Sequence, residues 1–195
     1  MAALADLPDL AARISAGLSD AGIDHAVSGA LAMAAHGFVR ATRDVYILVV
    51  APSVRLPEVF SIVRGFGFEG EDAALVRSLR ERAVAELRSG PASVEILAPV
   101  LPYHRELLGR AVRIQVAGTS VPFVSPEDLV VLKMLWLRDK DRADVRALLA
   151  ARRGALDDEF VRRTLLDILP DSDPRHGEFV RLAGEAGSGP GAPSA

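Results

Sequence analysis

The sequence predicts an α+β protein: a mixed β-sheet flanked by helices, with a C-terminal helical part. Three observations predict it. Apolar runs of period two alternate with amphipathic runs through the first two thirds of the chain. Two strand pairs, 83–88 with 93–97 and 112–116 with 120–124, are joined by turns too short for a crossover. After Ser125-Pro126-Glu127-Asp128 no strand pattern recurs. At 195 residues, half of them hydrophobic, the chain suits one domain with a helical appendage. The expected division is an α/β core over 1–124, a helical part over 125–184 and a disordered tail over 185–195.

The elements follow in order. Leu4 to Ala21 carries Leu7, Leu10, Ile14 and Leu18 near helical spacing and ends at Gly22. Ile23 to Val27 is a short strand that feeds a turn at Gly29, and a short helix then closes at His36-Gly37. The next strand starts at Arg43-Asp44 and runs through Val45-Tyr46-Ile47-Leu48-Val49-Val50, until Pro52 breaks it. A helix over Leu56 to Arg64 stops at Gly65 and Gly67. The charge-dense stretch from Glu69 to Arg82 reads as a short exposed helix or a lid-like loop. A hairpin about Ser89-Gly90-Pro91, a helix over Leu101 to Arg110 and a hairpin about Gly118-Thr119 complete the sheet region. Ser125 as N-cap with Pro126 at N1 opens a run of helices to about Leu169, broken near Asp139 and Gly154. A last short helix is expected over Arg175 to Ala183, and Gly184 to Ala195 is Gly/Pro/Ser-rich and expected to be disordered.

Three places carry chemistry. Asp44, Tyr46 and Leu48 share one strand face, and an acid at the mouth of an apolar strand needs a metal, a helix N-terminus or a basic partner. Arg40 and Arg43 flank it, so a simple ion pair is the plainer alternative. In Val94-Glu95-Ile96, Glu95 faces away from its neighbours, either into a site or into solvent. From Leu129 to Leu137 every residue but Lys133 is apolar, which reads as a buried helix whose one ammonium must reach an anion, water or an acid. If that helix continues, Lys140 and Asp144 lie near the face of Lys133.

The Gly turn, the apolar helix ending in His-Gly, the Arg-x-Thr-x-Asp run and its apolar strand together resemble the nucleotidyltransferase fold of the DNA polymerase β-like superfamily. The likeness is nearest to its small bacterial abortive-infection and toxin–antitoxin members. The resemblance implies Asp-x-Asp on this strand holding Mg²⁺, or Mn²⁺ in its place, against a nucleoside triphosphate. Asp44 matches the first position, and Tyr46 stands where the second acid belongs. Glu95 matches the third acid, a base or metal ligand. Ser28, Gly29 and Ala30 match the phosphate-binding turn, with Arg40 beside it. Lys133 followed by Arg138-Asp139-Lys140-Asp141-Arg142-Ala143-Asp144 matches a Lys helix that contacts the triphosphate, with Arg138 and Lys140 nearby. Otherwise 138–146 is a salt-bridged surface.

The implied chemistry is transfer of a nucleoside monophosphate to an acceptor hydroxyl: a tRNA 3′ end, a protein or a small molecule such as an aminoglycoside. A cognate antitoxin is an implied partner. The rival readings are a nucleotide- or protein-binding module whose metal site Tyr46 has closed, and an enzyme silenced by an introduced Tyr46.

Composition narrows the field further. A net charge of −3 gives no sign of nonspecific nucleic-acid binding, and the absence of cysteine excludes disulfides and thiolate zinc sites. MAALADLPDL lacks the features of a secretory signal and no run is long enough to span a bilayer, so a cytoplasmic protein without membrane contact is expected. His25, His36, His104 and His176 show no metal-ligand spacing, His36 reading as a structural hydrogen bonder. The aromatics are few and scattered and offer no base-stacking platform. No oligomeric state follows from the sequence.

Overall fold

Strand β2 (Asp44–Val50) is central to the sheet because its neighbours cover both edges. It pairs antiparallel with β1 (Asp24–Ser28) and parallel with β4 (Ala92–Leu97). Strand β3 (Val84–Ser89) lies antiparallel outside β4, and β6 (Thr119–Phe123) runs parallel to β1 with β5 (Val112–Val116) antiparallel beyond it. The result is the mixed sheet that the strand pattern predicts, its six strands in the order β3-β4-β2-β1-β6-β5. The computed structural model describes residues 7–152 and 154–187. They form two compact units, residues 7–35 with 39–125 and residues 36–38 with 126–187.

In the first unit the helices are α1 (Leu7–Asp20), α2 (Gly29–Ala35), α3 (Leu56–Arg64), α4 (Asp72–Arg82) and α5 (Pro102–Gly109). Helix α1 buries Ala11, Ile14, Ser15 and Leu18, and α3 buries Val59, Phe60 and Val63. Val45, Ile47 and Val49 of β2 are buried, as are Val94 and Ile96 of β4, so this sheet face forms the hydrocarbon core. The 69–82 stretch is the helical alternative: Glu71 caps α4 by accepting the Ala73 and Ala74 N–H groups, and Leu75 and Leu79 are buried. The expected helix start at Leu4 and the residues before Leu7 lie outside the described residues.

Buried in this core, His25 Nδ1–H donates to the Ile23 carbonyl at 2.8 Å, which leaves Nε2 to accept from the Ser15 hydroxyl at 2.7 Å. Burial pushes its pKa below the usual 6.5, Arg113 adding to the shift while the Ile23 carbonyl and Asp24 oppose it. The unfolded chain therefore takes up the proton first, so stability is full above pH 6.5 and falls as the pH drops through the folded value. Thermal unfolding across that window is expected to show the loss. A His25→Gln variant that kept the same pH slope would assign it elsewhere.

The second unit contains α6 (Pro126–Trp136), α7 (Asp139–Ala151), α8 (Asp158–Ile168) and α9 (Pro174–Gly187). Leu129, Val130, Val131 and Met134 are buried as expected, but the helix is not greasy to its end: Trp136 is 68% exposed. Leu137 follows at φ 49°, a left-handed conformation that ends α6 and redirects the chain into α7. Helix α9 continues to Gly187, past the tail expected from Gly184. Ion pairs explain the extension, since Glu185 accepts from both Arg146 and Arg181 within the last turn of the helix. Glu178, held at about 2 by Arg181 and Arg142, ties α9 to α7 in the same way. The remainder of the expected tail, 188–195, lies outside the described residues.

Candidate active site

The site begins with strand register. Asp44 pairs with Ser93 and Tyr46 with Glu95 across β2 and β4, while Ser28 pairs with Tyr46 across β1 and β2. Paired residues point to the same face. Asp44, Ser93, Tyr46, Glu95 and Ser28 therefore occupy one side of the sheet, opposite the hydrocarbon core. The diagonal from Asp44 to Glu95 spans roughly 7–8 Å between Cα atoms, within reach of two carboxylates sharing one cation.

Asp44 is held at both ends. Its Oδ1 accepts from the buried Ser93 hydroxyl at 2.9 Å, and its backbone N–H donates to Thr42 Oγ1 at 3.1 Å. The compensating partner is thus Ser93 rather than the flanking arginines that sequence proximity suggests. Arg40 is half-buried and donates to the Ala41 carbonyl at 3.5 Å, and Arg43 is exposed. Ser93 escaped the sequence reading because only parallel pairing of β2 with β4 places it opposite the acid, whereas Thr42 stands in the Arg-x-Thr-x-Asp run itself. Glu86 lies directly across from Glu95 on β3 of the antiparallel hairpin, and its carboxylate pairs with Arg88 at 2.7 Å.

Gly29 opens α2 at φ 67°, the left-handed region that favours glycine. A Cβ built there would lie 2.7 Å from Tyr46 Cδ2, so the phenol ring packs directly against the turn. Ser28 and Ala30 on either side are buried. Gly29→Ala is accordingly expected to cost at least 1–2 kcal/mol from backbone strain alone, with the ring clash added. In a Tyr46→Ala background the cost should shrink to the strain component. Equal costs in both backgrounds, read from denaturant unfolding, would show that the ring is not the obstacle.

The donor set decides which metal arrangement fits. Asp44 and Glu95 suit one divalent cation that takes its remaining ligands from phosphate oxygens and water. Among the described residues no group of three or more His, Asp or Glu side chains is arranged to hold a metal ion. The two-metal clamp, which needs further bridging carboxylates, does not fit the side chains present.

Lys133 belongs to the second unit, and its chemistry there is an ion-pair chain. Its side chain is 12% exposed, and its ammonium lies 2.6 Å from Asp144 Oδ2 and 3.2 Å from Asp141 Oδ1. Arg138 Nε also donates to Asp141, at 2.7 Å. Burial alone would raise the Asp141 pKa, but Arg138 and Lys133 outweigh it and hold the carboxyl below its usual value. Asp144 faces Lys133 as helical spacing suggested, whereas Lys140 is exposed. The break at Leu137 also brings in Asp141, which a continuous helix would have placed elsewhere. His36 is buried.

Residues 9–174 match the profile of a family described as nucleotidyl transferase of unknown function (DUF2204). Among solved structures, a solution structure of the antibiotic-resistance factor ANT(2'')-Ia superposes with a TM-score of 0.58 at 15% identity, covering 91% of this chain and 95% of that one. A crystal structure of ANT(2'')-Ia in complex with adenylyl-2''-tobramycin gives 0.55 at 15% identity, covering 89% and 97%. An antigenic nucleotidyltransferase-like protein from Paracoccidioides brasiliensis gives 0.52 at 18% identity, covering 88% and 92%. These likenesses establish the fold. No curated protein sequence matches this chain. No helix among the described residues is long and apolar enough to cross a membrane.

Proposed function

Because the chain belongs to the DUF2204 nucleotidyl transferase family, we propose that it binds a nucleoside triphosphate with one Mg²⁺ or Mn²⁺ and transfers the nucleoside monophosphate slowly to an acceptor hydroxyl. The observation that carries this reading is the register that sets Asp44 and Glu95 on one sheet face beside the left-handed turn at Gly29. Asp44 and Glu95 would hold the cation, which when bound neutralises phosphate oxygens and polarises the α-phosphate.

The remaining roles fall to the chain. The Ser28 hydroxyl and the backbone of Gly29 and Ala30 orient the triphosphate, with Arg40 at its edge. Ser93 fixes the Asp44 carboxylate and Thr42 its backbone, so that little reorganisation is needed on binding. Glu95 takes the acceptor proton as the hydroxyl oxygen bonds to the α-phosphorus and pyrophosphate leaves with the electrons of the broken bond.

The acceptor class is a small polyhydroxylated molecule, in keeping with the adenylyl-2''-tobramycin bound by one structural relative. A tRNA 3′ end and a protein hydroxyl are the other acceptors to be tested. A toxin role with a cognate antitoxin would follow from the second or third. The contact between Tyr46 and Gly29 favours one other reading, a nucleotide-binding module in which the ring replaces the second acid and transfer is lost. Incubating the chain with each α-labelled NTP, Mg²⁺ or Mn²⁺, and aminoglycosides, total tRNA or protein distinguishes them. Label transfer that disappears in Asp44→Asn supports the enzyme. Binding without transfer in any of these mixtures supports the module.

A further inference from the structure

We propose that Trp136, with Arg138 behind it, is a stacking site for a nucleobase. The inference rests on the nucleotide reading above but on a different group of residues. Trp136 is the only tryptophan in the chain and is 68% exposed at the end of an otherwise buried helix. The Arg138 guanidinium lies over the indole, 5.7 Å from the ring centroid.

That guanidinium is fixed rather than loose. Asp141 accepts from Arg138 Nε at 2.7 Å and from its backbone N–H at 3.1 Å, and is itself anchored by Lys133 at 3.2 Å. The buried ion-pair chain Asp144–Lys133–Asp141–Arg138 thus ends at the surface in a rigid cation–indole pair. Leu137 between the two partners holds φ 49°, a conformation that costs a branched side chain energy and that brings residues 136 and 138 face to ring.

The chemistry of the surroundings selects the occupant. Arg138, Asp139 and Lys140 follow Leu137 and are exposed, so the chain that continues from the indole is charged. The other large hydrophobics exposed in this unit, among the described residues, are Leu166 and Val180 on different helices. A protein partner needs a broad apolar area. A flat heterocycle carrying a phosphate needs one π-face and a nearby cation, which Trp136, Arg138 and Lys140 supply. Sequence spacing hid this pair because Arg138 reaches the ring only through the left-handed turn at Leu137.

The base can come from the NTP or from a single-stranded acceptor, and tryptophan fluorescence separates the two, since Trp136 is the sole emitter of its kind. Titration with ATP, with a short oligoadenylate and with tripolyphosphate is expected to give saturable quenching by the first or second and none by the third. Quenching by ATP assigns the base to the triphosphate; quenching by oligoadenylate alone assigns it to the acceptor. Trp136→Ala should raise the calorimetric Kd of the quenching ligand about 5- to 150-fold, with Trp136→Phe keeping most of the affinity and thermal unfolding unchanged. Equal quenching by tripolyphosphate, no quenching by either base-containing ligand, or an unchanged Kd in Trp136→Ala overturns the proposal. NTP binding seen by calorimetry without quenching would defeat this inference and leave nucleotidyl transfer standing. Quenching by oligoadenylate in a chain that neither binds nor transfers NTP would support it and defeat the transfer reading.

Discussion

Replacing Tyr46 with Asp is expected to raise the rate of nucleotidyl transfer by about a thousandfold. The change removes a phenol ring packed against the Gly29 turn and puts a carboxylate on the face already occupied by Asp44 and Glu95. A metal ligand that stabilises charge developing in the transition state contributes several kcal/mol, and each 1.4 kcal/mol is about tenfold in rate. The gain should appear in kcat, with the KM for NTP moving less. Asp44→Asn in the Tyr46→Asp background should return the rate to background. An unchanged or lower rate in Tyr46→Asp, with the fold intact by circular dichroism, would show that Tyr46 is not what limits the site.

The second large effect is on stability. Lys133→Met is expected to destabilise the second unit by about 3 kcal/mol, because it removes the ammonium that two buried carboxylates share. Asp144 loses a partner at 2.6 Å and Asp141 one at 3.2 Å, and both are buried. Arg138 continues to compensate Asp141. The pH dependence carries the same signature. The lowered Asp141 pKa contributes stability above its unfolded value of 3.8 that is lost as the pH falls through the folded value. Denaturant unfolding of Lys133→Met should therefore converge with the parent at low pH. A neutral-pH change of a few tenths of a kcal/mol, paired with weakened NTP binding, would instead assign the ammonium to the ligand.

The fold was legible because periodicity is local. Val45, Ile47 and Val49 reveal a strand from their own spacing, and Ser125-Pro126-Glu127-Asp128 marks a helix start without reference to anything distant. Partnership across the sheet was not legible in that way. Ser93 belongs to Asp44 only because β4 runs parallel to β2 in one register, a tertiary fact that a separation of 49 positions conceals. Trp136 misled because seven apolar neighbours made the helix read as buried throughout, when its last residue emerges ahead of Leu137. Asp141 was hidden by the same break. At the other end of the chain, Gly184 and Ala186 suggested disorder by composition, and the ion pairs of Glu185 hold them in α9.

Calorimetric binding of ATP with and without Mg²⁺, to the parent chain and to the double variant Asp44→Asn, Glu95→Gln, tests the central assignment most directly. The two carboxylates are assigned as one cation's protein ligands, so Mg²⁺ should tighten ATP binding to the parent at least tenfold and leave the variant unaffected. Equal Mg²⁺ enhancement in both chains, or none in the parent, would contradict it.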